Sequence, residues 1–180
     1  MITDLTNNEN TQDIDFQNLC DKYLIDLSKE IPCRKNGKSR YIKPESVKEL
    51  ERLHFEAKKA KYPNMPYPIK TTFRDDTANG LTKCIVAWLE LHGHFAGRVN
   101  TTGTYSAKLG KYIHSGSRRG MADITSIIDG KHVSIEVKIG RDKLRLDQIK
   151  VKREIEASGG VYIVASSFDN FLEQIKNINV

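Results

Sequence analysis

The stretch GMADITSIIDGKHVSIEVKIG, from Gly120 to Gly140, constrains the fold of this chain more than any other part of the sequence. Two runs rich in Ile, Val and Thr flank the pair Asp129–Gly130 within it. An Asp-Gly pair between such runs is the strongest short-range signal for a β-hairpin closed by a two-residue turn. The sequence therefore predicts two antiparallel strands joined at this pair.

The predicted turn sets the register of the two strands, and that register brings two acids together. With Ile128 opposite Lys131, counting outwards one residue at a time places Asp123 directly opposite Glu136. The Cβ atoms of directly opposed residues lie about 4.5 to 5.5 Å apart, and like charges in that position repel each other. A chain that keeps this pair needs something to offset the repulsion.

Alternation along the strands separates an apolar face from a polar one. The apolar face carries Ile124, Ile128, Val133, Ile135, Val137 and Ile139, and the polar face carries Asp123, Thr125, Ser134, Glu136 and Lys138. Two opposed carboxylates can both reach a hard cation such as Mg²⁺ and leave coordination positions for water and phosphate oxygens. Lys138 could then orient or activate the attacking water, which indicates metal-assisted hydrolysis of a phosphodiester. The alternative is a surface hairpin whose acids and lysine are merely solvated.

A glutamine on the next predicted helix supports the same interpretation. Leu144, Gln148, Val151 and Ile155 fall at helical spacing on one stripe, so Gln148 is expected to face the sheet. A buried glutamine needs hydrogen-bond partners. It either bonds a water, a catalytic side chain or a phosphate at the site, or it is a core glutamine with local partners. The spacing leaves both interpretations open.

Basic residues surround this region of the sequence. The chain has a net charge of +6 and a pI near 9.2, which raises the expectation of a polyanionic partner. Around the hairpin and the following helix lie Arg118, Arg119, Lys138, Arg141, Lys143, Arg145, Lys150, Lys152 and Arg153. This density fits the backbone of DNA or RNA, although some of these side chains are also expected on the solvated face of the helix. Tyr105, Tyr112 and His114 could stack on bases or be ordinary surface residues.

The chain divides at the prolines of YPNMPYP. Residues 1–75 are predicted to form an N-terminal extension, with a disordered start, helices at Asp15–Lys29 and Glu45–Lys61, and a basic loop that either contacts phosphate or is a solvated connector. Residues 76–180 are predicted to form a compact α/β domain. Its elements are a helix from Asp76 or Thr77 to about Leu91, a strand in HFAGRVNTTG, the hairpin, a helix at Leu144–Ser158, a strand in GGVYIVAS and a helix at Asp169–Ile178.

Several classes of protein are disfavoured by the sequence. Cys20, Cys33 and Cys84 are widely spaced and lack a CxxC pair, which argues against a disulfide framework and a cysteine zinc site. His92 and His94 have no further His or Cys to complete a zinc site. No GxxxxGK[ST] loop indicates a nucleotide cofactor, and no GxSxG motif indicates a nucleophile elbow. Because no apolar run could span a bilayer and the first residues are unlike a secretory signal, an intracellular protein with no membrane partner is expected.

Four segments carry a resemblance to a known family: RRGMADI, VSIEVKIG, LDQIKVKREIEASGGVYIVASS and, upstream, GHFAGRVNTTG, within about residues 77–168. They resemble the PD-(D/E)xK nuclease superfamily and, within it, the VRR-NUC family of virus-type replication and repair nucleases. The resemblance implies a restriction-endonuclease-like fold, with a mixed sheet in an αβββαβ core flanked by helices. The site residues it implies are Asp123, Glu136 and the Val137 carbonyl as ligands of Mg²⁺ or Mn²⁺, Lys138 as the catalytic lysine, and Gln148 as the helix glutamine.

The resemblance also implies a function. It suggests a metal-dependent DNA endonuclease specific for Holliday junctions or flaps, working as a homodimer in DNA replication, recombination or repair in the cytoplasm of a bacterial or phage-infected cell. The residues expected to contact the DNA backbone are Arg98, Arg118, Arg119, Arg141, Lys143 and Arg145. Two positions depart from the family: Ala122 replaces a frequent proline, and Asn79 replaces a frequent glutamate. Without that glutamate, the resemblance does not decide between one bound metal and two. The alternatives are a DNA-binding module that keeps the nuclease fold without cutting, and a basic protein-interaction protein.

Overall fold

A computed structural model of the chain describes residues 41–100, 103–113 and 116–178. The predicted helix at Asp15–Lys29, the basic loop as far as residue 40, and His114 lie outside these ranges. The described residues form a mixed α/β structure. Its helices are α1 (Glu45–Lys61), α2 (Ala78–Leu91), α3 (Leu146–Ala157) and α4 (Phe168–Lys176). Its strands are β1 (Phe95–Arg98), β2 (Thr104–Ser106), β3 (Lys111–Ile113), β4 (Ile124–Ile128), β5 (Lys131–Val137) and β6 (Val161–Ala165).

The central sheet is mixed, with its four strands in the order β1, β4, β5, β6. The pairs β1–β4 and β4–β5 are antiparallel, whereas β6 runs parallel to β5. A parallel pair needs a crossover connection, which α3 supplies between β5 and β6. Strands β2 and β3 form a separate two-stranded ribbon.

The hairpin between β4 and β5 has the predicted turn. Asp129 has a φ of 46° and Gly130 a φ of 82°, so both residues adopt the left-handed conformation that a type I′ turn requires. Ile128 pairs with Lys131 across the turn, as the register predicts. The turn and the register are therefore confirmed.

The apolar face of the hairpin shares one core cluster with buried residues of α1, α2 and α4, and this cluster forms the main core. Its buried side chains include Val47, Leu50, Leu81, Ile85, Leu89, Ile124, Ile128, Val133, Ile135, Val137, Ile163, Phe168 and Phe171. The predicted apolar face of the hairpin is confirmed by this burial. The polar face of β5 is buried as well, since Ser134, Glu136 and Lys138 lie under the side of the sheet that α3 covers. Because they are buried, these polar side chains need hydrogen-bond or ion-pair partners.

Helix α1 has the predicted bounds, and its thin apolar stripe is buried. Val47 and Leu50 belong to the same core cluster as the sheet residues. The side chain of Asp75, itself buried, accepts hydrogen bonds from the Tyr41 hydroxyl (2.8 Å) and the Phe168 backbone N–H (3.2 Å). The described residues before position 76 therefore share one core with the sheet.

Several features differ from the expected elements. Helix α4 spans Phe168–Lys176 rather than Asp169–Ile178, with Ser167 as its N-cap and Asn177 as its C-cap. Helix α3 begins at Leu146 rather than Leu144, because Arg145 is extended and forms its N-cap. The ribbon of β2 and β3 is not among the predicted elements, because strands of three residues are too short to show a clear alternation of apolar and polar residues. Within the described ranges, no helix is long and apolar enough to cross a membrane.

Gly120 determines how closely the segment before β4 approaches the start of α3. Its φ of 81° lies in the left-handed region, and an added Cβ would collide with the Asp147 carbonyl. A side chain here would cost both backbone strain and a backbone collision. Because Asp147 lies in the first turn of α3, this close approach helps to position the neighbouring Gln148.

Replacing Gly120 with alanine is expected to lower the free energy of unfolding by about 2 to 4 kcal/mol, because the strain and the collision act together. Gly116→Ala is the matched control, since an added Cβ at Gly116 meets no atom within 4 Å and the residue has no positive φ. Urea unfolding followed by circular dichroism measures both variants. Equal stability of the two would contradict the role assigned to Gly120.

Candidate active site

Asp123 lies directly before β4, where three strands of the sheet meet. Its backbone carbonyl accepts a hydrogen bond from the Val99 N–H (2.8 Å), just beyond β1. Its side-chain Oδ2 accepts one from the Val137 N–H (3.0 Å), at the end of β5. The hydrogen bond to this carboxylate therefore joins β4 and β5 beyond their last backbone pair, Ile124 and Ile135. Asp123 lies beside Glu136, as the register predicts.

Glu136 is buried, with 3% of its surface exposed. Its Oε1 accepts a hydrogen bond from Gln148 Nε2 and forms an ion pair with Lys138 Nζ at 3.1 Å. Its Oε2 is buried too, but has no hydrogen-bond partner among the described residues. A buried carboxylate oxygen without a partner costs free energy. This oxygen therefore marks a position at which a ligand from outside the chain would be stabilised.

The electrostatic environment of Glu136 shows the repulsion that the register predicts. Burial raises the pKa of Glu136 above that of an ordinary glutamate, and the negative charge of Asp123 raises it further. The Lys138 ammonium and the Gln148 amide lower the pKa, but burial and repulsion outweigh them. A bound cation would favour the charged form of both acids.

Lys138 is buried between two carboxylates. Its Nζ lies 3.1 Å from Glu136 Oε1 and 3.3 Å from Asp142 Oδ2. Its backbone N–H donates to the Ala165 carbonyl (2.9 Å), which ties the residue to the end of β6. The side chain is thus held beside Glu136. Asp142 lies in the loop after β5, where no pattern in the sequence singles it out.

Gln148 links the start of α3 to the acid on the sheet. Its Oε1 accepts a hydrogen bond from the Arg145 N–H (2.9 Å), and its Nε2 donates to Glu136. With 4% of its surface exposed, it is as buried as its position on the helix stripe predicts. The two interpretations of this glutamine both apply, because it caps its own helix and also bonds a carboxylate of the candidate site.

Tyr162 also belongs to this region, although no local pattern in the sequence identifies it. It lies on β6 opposite Ser134, so its side chain shares the sheet face of Glu136. Its hydroxyl is buried and lacks a hydrogen-bond partner among the described residues. Burial raises the pKa of Tyr162 above that of an ordinary tyrosine, and the charges of Glu136 and Asp123 raise it further. The parallel register of β5 and β6 could have identified it, but that register is set by α3 and not by a local turn.

The oxygen donors at this end of the sheet suit a hard divalent cation. They are the carboxylates of Asp123 and Glu136, including the unpartnered Oε2. In an extended strand the N–H and C=O of one residue point to the same side, so the Val137 carbonyl faces the side on which its N–H meets Asp123. Mg²⁺ and Mn²⁺ prefer such all-oxygen sets. No group of three or more His, Cys, Asp or Glu side chains that could hold a metal occurs in the described ranges.

The predicted DNA-contacting residues differ in their surroundings. Arg98 Nη2, at the end of β1, donates to Asn79 Oδ1 (2.7 Å). Arg118 forms a two-bond ion pair with Glu154 on α3 (2.6 and 2.8 Å). All six residues are exposed, including Arg119, Arg141, Lys143 and Arg145. The contact of all six with DNA stays a prediction.

The two histidines of LHGH both contact one tryptophan. The His92 ring stacks on Trp88 with 3.9 Å between centroids, and its Nδ1 lies 2.7 Å from the Trp88 carbonyl oxygen. The His94 ring lies 6.4 Å from the same indole. Packing around Trp88 therefore accounts for both side chains.

No protein-family model matches the chain, and no curated protein matches its sequence. The functional interpretation therefore depends on the quoted motifs and on the geometry of the site.

Replacing Asp123 with asparagine in the metal-free protein is expected to raise the free energy of unfolding by about 1 kcal/mol at neutral pH. Glu136 loses the charge that repels it, and the amide oxygen can still accept from the Val137 N–H. The wild type loses stability as the pH rises through the raised pKa of Glu136, so the advantage of the variant should shrink as the pH falls. Urea unfolding in EDTA at a series of pH values measures this.

The matched control for this experiment is Asp129→Asn. Asp129 is exposed in the turn, and Asn-Gly favours the same type I′ turn as Asp-Gly. This variant removes one negative charge away from Glu136, so it should show no comparable gain. A loss of stability in Asp123→Asn at neutral pH would show that the opposed carboxylates do not strain the metal-free fold.

Proposed function

We propose that the protein is a metal-dependent DNA endonuclease of the PD-(D/E)xK type, related to the VRR-NUC nucleases, which hydrolyses phosphodiester bonds in branched or flapped DNA. The observation that carries the proposal is the buried Glu136, opposed to Asp123, with one oxygen held by Lys138 and Gln148 and the other unpartnered. The order α2, β1, β4, β5, α3, β6 also agrees with the αβββαβ core of restriction-endonuclease-like proteins.

Asp123, Glu136 and the Val137 carbonyl are the groups that would hold Mg²⁺ or Mn²⁺. The bound cation would offset the charge on the phosphate and make water easier to deprotonate. Glu136 suits this role because its Oε2 is buried and unpartnered, while its Oε1 is already occupied by two donors. Asp123 suits it because the hydrogen bond from Val137 fixes its carboxylate at the end of the sheet.

Lys138 and Gln148 have different roles in the proposal. Lys138 brings a positive charge to the buried site, where it can orient the attacking water and offset the negative charge that develops on the phosphate. Its ion pairs with Glu136 and Asp142 hold the ammonium in place for this purpose. Gln148 is a positioning residue, because it restrains Glu136 and is itself restrained by the start of α3.

Substrate and assembly follow from the same proposal. The basic side chains near the site, Arg98, Arg118, Arg119, Arg141, Lys143 and Arg145, would bind the DNA backbone through phosphate contacts. Symmetric cutting of a four-way junction needs two active sites, so the resolvase form of the proposal requires a homodimer. Light scattering measures this directly, and a strictly monomeric protein would favour flaps over junctions.

A DNA-binding module that does not cut is the second candidate. Two observations favour it: no group of three or more His, Cys, Asp or Glu side chains within the described residues could hold a metal, and Asn79 bonds Arg98 where many members of the VRR-NUC family have a glutamate. Such a module would bind DNA with strong salt dependence and little need for Mg²⁺, since counterion release requires only basic side chains.

Cleavage of labelled DNA separates these candidates. Four-way junction, flap, duplex and single-stranded DNA are incubated with Mg²⁺, Mn²⁺ or EDTA. We expect metal-dependent cutting by the wild type, and a loss of about 100-fold or more in Glu136→Gln and Lys138→Met, the size typical for removal of a catalytic group. Glu173→Gln is the matched control, because Glu173 is exposed on α4 and outside the site.

Two other results would count against the proposal. Unchanged cutting by Glu136→Gln would place the active site elsewhere. Binding without cutting in every metal would favour the DNA-binding module, and the basic surface would then be the functional part of the chain.

A further inference from the structure

The ribbon of β2 and β3 carries a pair of exposed aromatic side chains. Tyr105 and Tyr112 are directly opposite each other, so their rings share one face of the ribbon, with 5.5 Å between centroids and an interplanar angle of 59°. They are 55% and 69% exposed. Within the described residues, these two strands pair only with each other.

The ribbon of β2 and β3 has little to stabilise it while it remains exposed to solvent. A lone two-stranded hairpin is only marginally stable in water. Besides the two tyrosines, Leu109 and Ile113 are also exposed. Residues 103–113 therefore present four large apolar side chains to solvent. The ribbon therefore offers apolar surface to a partner, and its charge indicates which partner.

The charge of this part of the chain is entirely positive. The segment from Leu91 to Ala122 contains no Asp or Glu, and it carries Arg98, Lys108, Lys111, Arg118 and Arg119. Lys108 and Lys111 lie on the ribbon itself and are exposed. Aromatic faces next to positive charge are the combination that single-stranded nucleic acid binds, because bases stack on the rings and phosphates meet the lysines.

The ribbon lies in the segment between β1 and β4. This segment leaves β1 beside Asp123 and returns to the sheet at the same end. The Val99 N–H donates to the Asp123 carbonyl (2.8 Å). Ser117 Oγ donates to the Asn100 carbonyl (2.9 Å), which joins the two ends a second time. The ribbon is thus attached at the same end of the sheet as the candidate active site.

We propose that Tyr105 and Tyr112 bind unpaired bases of DNA by stacking, next to the position at which the backbone is cut. The bases of an intact duplex are stacked on each other and offer no free face, so the ribbon would favour DNA with single-stranded or open segments. This proposal depends on the proposed nuclease function in one respect, namely that the DNA bound by the ribbon is the substrate of the active site. Binding by the ribbon itself needs neither metal nor cleavage.

The test is equilibrium binding in EDTA, measured by fluorescence anisotropy. The probes are a short fluorescein-labelled DNA strand, its duplex and a four-way junction that contains it. The double variant Tyr105→Leu/Tyr112→Leu is expected to bind the single strand about 10- to 100-fold more weakly, as loss of base stacking predicts, with a much smaller effect on the duplex. Tyr105→Phe/Tyr112→Phe keeps both rings and should bind like the wild type.

Two controls complete the experiment. Tyr62→Leu/Tyr67→Leu removes two exposed tyrosines from the connector after α1 and should leave binding unchanged. Lys108→Gln/Lys111→Gln should weaken binding of single strand and duplex alike, and should reduce the slope of log K against log salt for the single strand by about 1.4 if both lysines contact phosphate. Circular dichroism verifies that each variant is folded.

The result that would overturn the proposal is unchanged single-strand affinity in the leucine double variant. The same holds if that variant changes only the oligomeric state, which would make the ribbon a contact between copies of the chain. The two proposals fail separately. A protein that binds the single strand through the tyrosines but never cuts contradicts the nuclease assignment alone. A leucine double variant that cuts, and binds the single strand like the wild type, contradicts the ribbon assignment alone.

Discussion

The repulsion between Asp123 and Glu136 is the interaction on which the rest of the structure depends. Two opposed acids, one of them buried, destabilise a core unless other groups offset their charge. Here Lys138 and Gln148 both hold one oxygen of Glu136, and the Val137 N–H donates to Asp123. This support covers part of the carboxylate pair and leaves Glu136 Oε2 without a partner. This arrangement supports the proposal that the site binds a cation.

The scaffold explains how such a costly arrangement is maintained. The type I′ turn at Asp129 and Gly130 sets the register, so the acids cannot move apart without moving the apolar residues on the opposite face out of the core. On the polar face, α3 brings Gln148 to Glu136, and the close approach of Gly120 to this helix allows it to do so. The free energy that stabilises the core thus holds the two charges together.

The parts of the site that follow from local rules could be predicted from the sequence. The turn chemistry predicts the opposed acids, and helical spacing predicts the inward glutamine. Tyr162 could not be predicted in this way, because its place beside Glu136 depends on the parallel pairing of β5 and β6 across a crossover helix. Asp142 lies in a loop without periodicity, and the strands of the ribbon are too short to show one. Local signals therefore identify the charged centre, whereas the residues around it depend on tertiary contacts.

The most direct test of this account is the binding of Mn²⁺ to the protein without DNA, measured by isothermal titration calorimetry together with thermal unfolding. The wild type is expected to bind Mn²⁺ saturably and to gain a stabilisation that grows with metal concentration, reaching about 2.7 kcal/mol when the free metal is a hundredfold above the dissociation constant. Glu136→Gln should lose both effects while remaining folded. If millimolar Mn²⁺ neither binds nor stabilises the wild type, the opposed carboxylates of Asp123 and Glu136 are not a metal site.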